Sequence, residues 1–501
     1  MIKWCGVFEF CGLFSLCDKL LGELKRMRGL LIFLDNINNL LSVILIPLLI
    51  FAGIYFTFRT KFAQFRLFKN SFRALLYKPK NKDGKKGSSP FRSLMISMAS
   101  RIGVGQIAGI AFAISVGGPG SVFWMWIMAI LGSTSAFIES TLAQIYKVED
   151  KESSGFRGGP AYYITKTLGK RWLALLYTVL LICTYAYGFN MLQAFQLTSS
   201  FSYYIPGFRD SIFPVVIGLV LSLITALVIF GGTKKVSFVS AYVVPFMSVA
   251  YIILALTVTL KNFGKIPSVF KMILDDAFSI RAIATAPFSM AYLSPLIHGI
   301  KRGLFSNEAG MGSSPNSAAT ADVPHPVVQG LVQLISVFID TFLICTSTAL
   351  IVLFSGVDFR QKVSQISLVQ NAVKSQVGEF GVHIIIFAIL SFAFTSIIGN
   401  YSYAETNVLY IKNNKKVLNI FRVTCIAVVF IGSLVGSTLA WATADLFMSL
   451  MAILNILVIL RIGKMAILAL KDYVRKIRKN KNIEDLEFKA EDLKIKNTEC
   501  W

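Results

Sequence analysis

The chain has 501 residues, 55% of them hydrophobic and only 15% charged, with a mean hydropathy of +0.65. Soluble domains average roughly 25% charged residues, so a water-soluble fold would expose large apolar surfaces, and lipid is the expected solvent. The net charge of +24 does not point to nucleic acid, because it gathers beside apolar runs: eleven Lys/Arg against one acid from Arg59 to Arg92, and a second basic block from Arg461 to Lys481. That is the pattern of cytoplasmic loops facing an anionic leaflet.

The first 28 residues mix charged and apolar side chains without an uninterrupted core or a small-residue cleavage site, so no cleaved signal is expected. They read as an amphipathic surface segment, or as the product of a start placed ahead of a true one at Met27. In chain order the expected divisions are an N-terminal extension (1–37), an extra membrane helix (38–58), a basic cytoplasmic loop (59–97) and a first core half (98–260). An external loop (261–281), a second core half (282–470) and a charged cytoplasmic tail (471–501) follow. Apolar runs long enough to cross about 30 Å of hydrocarbon fall near 38–58, 98–117, 120–146, 172–195, 212–230, 238–260, 282–300, 326–354, 382–411, 417–437 and 441–470. This predicts an all-α polytopic membrane protein of about eleven spans, with the N-terminus outside and the C-terminus in the cytoplasm. Setting the first span aside leaves five plus five. An odd number per half forces the halves into opposite orientation, the geometry of an inverted repeat. The seven cysteines and the three histidines (His298, His325, His383) are scattered, without the spacing of a metal site or a disulfide framework.

Two spans are built to break. "SRIGVGQIAGIAFAISVGGPG" (100–120) carries six glycines, Pro119, Arg101 and Gln106, and "RAIATAPFSMAYLSPLIHGIKRG" (281–303) carries Pro287 and Pro295. Non-helical backbone is tolerated in lipid only where it lines a cavity or is buried in protein. Two facing breaks would offer carbonyls to a cation and N–H groups to a carboxylate. The alternative is that Gly105 and Gly109 simply allow close helix packing.

Three stretches carry a family resemblance. "GVGQIAGIAFAISVGGPGSVFWMW" with "GGPAYYI", "GIKRGLFSNEAGMGSSP" with "HPVVQGLV" and "VFIDTFLICTSTAL", and "FAFTSIIGNYSYAE" with "WATADLFMSLMAILN" resemble the alanine/glycine:cation symporter family, in order, from about residue 40 to 465. The resemblance implies a LeuT-type five-plus-five inverted repeat with broken first and sixth core helices. It also implies uptake of small neutral amino acids driven by Na+ or H+, with no other cofactor. By position, it implies that Gly103, Val104, Gly105 and Gln106 form the unwound substrate segment, with Gln193 facing the substrate and Thr395 and Ser396 ligating the cation. The family usually has threonine at Val104, asparagine at Gln106, asparagine at Phe195 and tryptophan at Asn400. Asn400 is therefore expected to widen the pocket and make it more polar. Phe288 and Ser289 replace part of a glycine-rich break and are the substrate-contact candidates of the sixth span.

Asn307 and Glu308, in "SNEAGMG", are expected to cap or gate at the cytoplasmic end. Asp340 lies within a span and is a functional candidate on that ground; Asp445 is either functional or a helix cap. The expected partners are a small neutral amino acid, Na+ and the bilayer of the cell membrane. A larger polar amino acid such as glutamine is the alternative substrate. A membrane enzyme would need convergent His, Asp or Glu on facing spans, and a channel would not need paired breaks.

Overall fold

A computed structural model describes residues 5–79, 87–150, 155–205, 207–278, 294–360, 364–480 and 482–501, without the side chains of 5–28, 233–237, 240, 241 and 480. Apart from a hairpin of β1 (Val148–Asp150) and β2 (Gly155–Arg157), the long elements among these residues are helices. Helices satisfy their own backbone polar groups where no water can.

Helix α1 (Cys5–Arg59) runs across the boundary expected at 37/38. The first interrupted span is α2 (Pro90–Arg101) and α3 (Ala108–Gly117), so it begins at Pro90 rather than 98. Next come α4 (Gly120–Ile145) and the short α5 (Pro160–Leu168), then α6 (Arg171–Tyr203), α7 (Phe213–Ile229), α8 (Gly232–Lys261) and α9 (Ile266–Ala277). Further along the chain come α10 (Ser294–Asn307), α11 (Ser314–Ala318), α12 (Pro326–Phe354), α13 (Gln365–Val377), α14 (Glu379–Ile411), α15 (Lys415–Leu434), α16 (Ser437–Ile462) and α17 (Lys464–Asn480). Among the described residues, eight helices are long and apolar enough to span a membrane, and α2 with the segment from Val104 adds a pair bent by 59°. The shorter α7 is also apolar, and the 282–300 run is described only from Ser294.

The packing sorts the helices by solvent. α7, α8 and α15 leave apolar stripes uncovered (Leu219, Leu223 and Leu227; Phe246, Ile253 and Leu260; Ile420, Val423 and Ile431), as a lipid-facing surface requires. α4, α12 and α14 are mostly enclosed and carry buried polar side chains such as Glu139, Asp340, Thr395 and Asn400. Ionisable and polar side chains enclosed in an apolar bundle mark its functional interior.

The C-terminal segment, expected as a charged tail, is docked. Residues 482–501 bury Ile483, Leu486, Phe488 and Ile495, and the Trp501 indole donates to Gln144 O at 2.7 Å. Lys147 Nζ sits over the Phe156 and Trp501 rings, 3.9 and 4.8 Å from their centroids, and donates to Ala321 O. Beside it, His325 Nδ1 accepts the Val327 N–H as the cap of α12. The ring proton is therefore on Nε2, 3.4 Å from Asp472 Oδ2. Burial keeps His325 below its ordinary value despite that carboxylate. Against the cost of its own burial, hydrogen bonds from His325, Lys476 and Arg475 hold Asp472 below the usual carboxylate range.

Candidate functional site

The first break follows from the chain's local chemistry. Ser89 caps α2 by accepting the Arg92 N–H, with Pro90 at the first helical position. The helix stops at Arg101, and Gly103 is extended (φ −120°, ψ −167°) before one tight turn over Val104–Gln106. A continuous helix would send the Gly103 and Val104 N–H groups to Ala99 O and Ser100 O. Here Gly103 N donates to Gln106 Oε1 (2.7 Å) and Val104 N donates to Gln193 Oε1 (3.0 Å). Two glutamines thus take up the freed donors. The two carbonyls are met instead by Ser396 Oγ, at 3.0 Å from Ala99 O and 3.2 Å from Ser100 O. A Cβ on Gly103 would overlap both Ser396 Oγ and Gln193 Nε2, so three parts of the expected site converge on one point.

Among the described residues, the next interruption lies after α10. Pro295 lies in α10, which is described from Ser294; Pro287, Phe288 and Ser289 lie outside the described residues. The chain leaves the helix through Glu308 in the left-handed region (φ 55°), then Gly310 (φ 89°) and Gly312 (φ 81°), before α11. Glycine is favoured at two of these positions because only it adopts positive φ freely. The SNEAGMG segment is buried against the first break: Glu308 Oε1 accepts from Ser100 Oγ at 3.1 Å, and Glu308 Oε2 lies 3.8 Å from Arg101 Nε. The Arg101 guanidinium also donates to Ser336 Oγ.

Several groups clasp this second break. Glu139 of α4 accepts the Gly312 N–H (3.0 Å) and the Asn455 amide (2.9 Å) on Oε2, and the Gly310 N–H (3.4 Å) on Oε1. Asn455 of α16 also donates to Gly310 O, and the Tyr177 hydroxyl to Met311 O. A carboxylate therefore does at the second break what two glutamines do at the first. Glu139 was legible as an acid inside an apolar run, yet the sequence reading passed over it.

The remaining expected residues fall as follows. Gln106 Nε2 donates to Asp340 Oδ1 at 2.7 Å and to Arg101 O, so both ends of its amide are engaged. Asp340 lies in a π-helical stretch, Ile339–Cys345, and its other oxygen accepts from Ser306 Oγ at 2.5 Å. Asn307 turns its oxygen to the Ala309 N–H, a helix-end role. Gly105 packs directly on the Phe305 ring, and Val104 is buried. Thr395 Oγ1 donates back to Ser391 O and Phe392 O, the usual habit of threonine in a helix.

Asn400, expected as a pocket wall, is wholly enclosed: Oδ1 accepts from Ser100 Oγ (2.7 Å) and Nδ2 donates to Asn190 Oδ1 (2.9 Å). It links α2, α6 and α14. Asp445, offered as a possible cap, stands in the interior of α16 and pairs with Arg302 and Lys301.

A span bent by 59° at its break, packed inside an apolar bundle against the turn that ends α10, with its loose backbone groups held by buried side chains, defines a membrane carrier rather than a continuous helical scaffold. The model of the sodium:alanine symporter family matches residues 27–488, and the chain belongs to that family. It is 43% identical over 466 residues to the probable sodium/glutamine symporter GlnT of Bacillus subtilis, covering 93% of this chain and 94% of that one. It is also 43% identical to the amino-acid carrier protein AlsT of Bacillus subtilis (91% and 94% covered). Identity is 34% to the sodium/proton-dependent alanine carrier protein of Bacillus sp. strain PS3 (84% and 95% covered).

Proposed function

We propose that this chain is a carrier, not an enzyme, and imports a small neutral amino acid of the alanine or glycine type together with Na+. Transport proceeds by alternating access around the paired breaks, between two core halves in inverted orientation. The observation that carries this reading is the Ser396 hydroxyl on the carbonyls of Ala99 and Ser100. A hard cation wants several oxygens, and a small rotation of that hydroxyl turns its lone pair toward the same point, with Thr395 Oγ1 one residue away. The Gly103–Gln106 turn and Gln193 then form the substrate side. The membrane potential supplies about 2.3 kcal/mol per charge per 100 mV. The kinship with amino-acid carriers supports amino-acid symport, and the likeness to the glutamine symporter favours a larger polar amino acid as the second reading.

The test is uptake into proteoliposomes under imposed Na+ and H+ gradients, with a panel of alanine, glycine, serine and glutamine. The Thr395→Ala/Ser396→Ala double variant is expected to raise the Na+ half-saturation by about tenfold or more, since about 1.4 kcal/mol of lost ligation is one decade. An unchanged half-saturation, or wild-type uptake indifferent to Na+, overturns the assignment of the cation.

The proposed orientation in the cell membrane puts the 59–97 segment and the C-terminus in the cytoplasm and the N-terminus outside, supported by the basic blocks. In a background without native cysteines, a cysteine near Lys82 should resist an impermeant reagent applied outside, while one in 355–381 should react. The reverse labelling overturns the orientation.

A further inference from the structure

A second charged cluster lies one turn along α10 from Phe305, and the break chemistry does not use it. Arg302 is buried, and its Nη2 donates to Asp445 Oδ2 at 2.6 Å. Lys301 Nζ is 3.5 Å from that same oxygen, so two cations share one carboxylate. The guanidinium lies over the faces of Trp441, Phe112 and Phe305, 4.3, 5.0 and 5.9 Å from the ring centroids. Those rings hold it by cation–π attraction and leave its edges bare. Arg302 Nε and Nη1, the Trp441 indole N–H and Asp445 Oδ1 are all buried without a hydrogen-bond partner.

Buried polar groups are ordinarily paired. Three unmatched donors beside an excess positive charge call for an anion, and the unmatched Asp445 oxygen calls for a donor. A zwitterionic amino acid supplies both. We propose that Arg302, Trp441 and Asp445 form a receiving site for the charged end of the amino acid. Its α-carboxylate goes to the Arg302 and Trp441 N–H groups and its α-ammonium to Asp445 Oδ1. The site adjoins the first break through Phe305, whose ring packs on Gly105. This inference rests on the amino-acid reading above and adds the residues that recognise the zwitterion.

The mildest probe is Trp441→Phe, which removes one N–H and keeps an aromatic face; Arg302→Gln removes the charge. In proteoliposomes with saturating Na+, Trp441→Phe should raise the alanine KM about tenfold or more, the scale of one hydrogen bond to a charged group. The Na+ half-saturation and maximal rate should move less than twofold. Arg302→Gln should raise KM further. In both variants the preference for alanine over alaninamide, read as competitive inhibition, should shrink. An alanine KM within twofold of wild type in a folded, transporting Trp441→Phe protein overturns the proposal while leaving amino-acid symport standing. So does a KM shift that vanishes when chloride is replaced by gluconate, because the anion would then be chloride. Absence of amino-acid uptake by the wild type overturns both readings.

Discussion

Gly103→Ala is expected to uncouple transport from Na+, raising the Na+ half-saturation by more than about tenfold and cutting uptake at ordinary Na+. The reasoning does not invoke backbone strain. Gly103 is extended with negative φ, a region open to alanine. The cost is space: the new methyl would occupy the place of Ser396 Oγ and press on the Gln193 amide. Ser396 would leave the Ala99 and Ser100 carbonyls, or Gln193 would release the Val104 N–H; either change removes a partner from a buried polar group, at about 1–3 kcal/mol. Gly264→Ala is the control, because nothing stands within 4 Å of its Cβ position, and it should transport as the wild type. Wild-type Na+ dependence in a well-folded Gly103→Ala protein would show that the convergence of Gly103, Gln193 and Ser396 has no part in coupling.

How far the sequence disclosed this arrangement depends on the kind of signal. Spans were legible because hydropathy is local and long runs leave few alternatives. The first break was legible because several glycines and a polar amide cluster within one run. The second expected break, around Pro287, lies outside the described residues. Proline drew attention to 287 and 295, and Pro295 lies within α10, which is described from Ser294 onward. The turn at Glu308–Ser313 is written in Gly310 and Gly312, whose positive φ is invisible until a fold demands it.

Asn400 illustrates a different limit. Its departure from the family's tryptophan was read as vacated volume, but the amide is spent linking Ser100 to Asn190. Pairings between distant segments are not encoded in spacing along either one. The same holds for the C-terminal segment, whose charges suggested a solvated tail. A few apolar residues, with Trp501 against Lys147, are enough to dock it.

Glu139→Gln is expected to lower the maximal transport rate by at least about tenfold and to lower thermal stability, though the protein still inserts. Glu139 accepts from two backbone N–H groups and the Asn455 amide, and a carboxylate has lone pairs for all three. Glutamine keeps one acceptor oxygen and sets an NH2 against donors. Whichever way it turns, at least one buried donor is left without a partner, at about 1–3 kcal/mol each. The penalty falls on Gly310 and Gly312, the residues that give the second break its shape, so the damage should reach transport more than binding of Na+ at the first. Glu139→Asp keeps the charge but falls short by a methylene and should be intermediate. Asn455→Ala tests the same clasp from the other side. Because Glu139 and Asn455 act on one loop, the double variant should lose less than the sum of the two single losses. Strict additivity, or a Glu139→Gln protein transporting at the wild-type rate, would mean that the second break holds its shape without the carboxylate. Its form would then have to come from the Tyr177 hydroxyl and the packing of α10 and α11 alone.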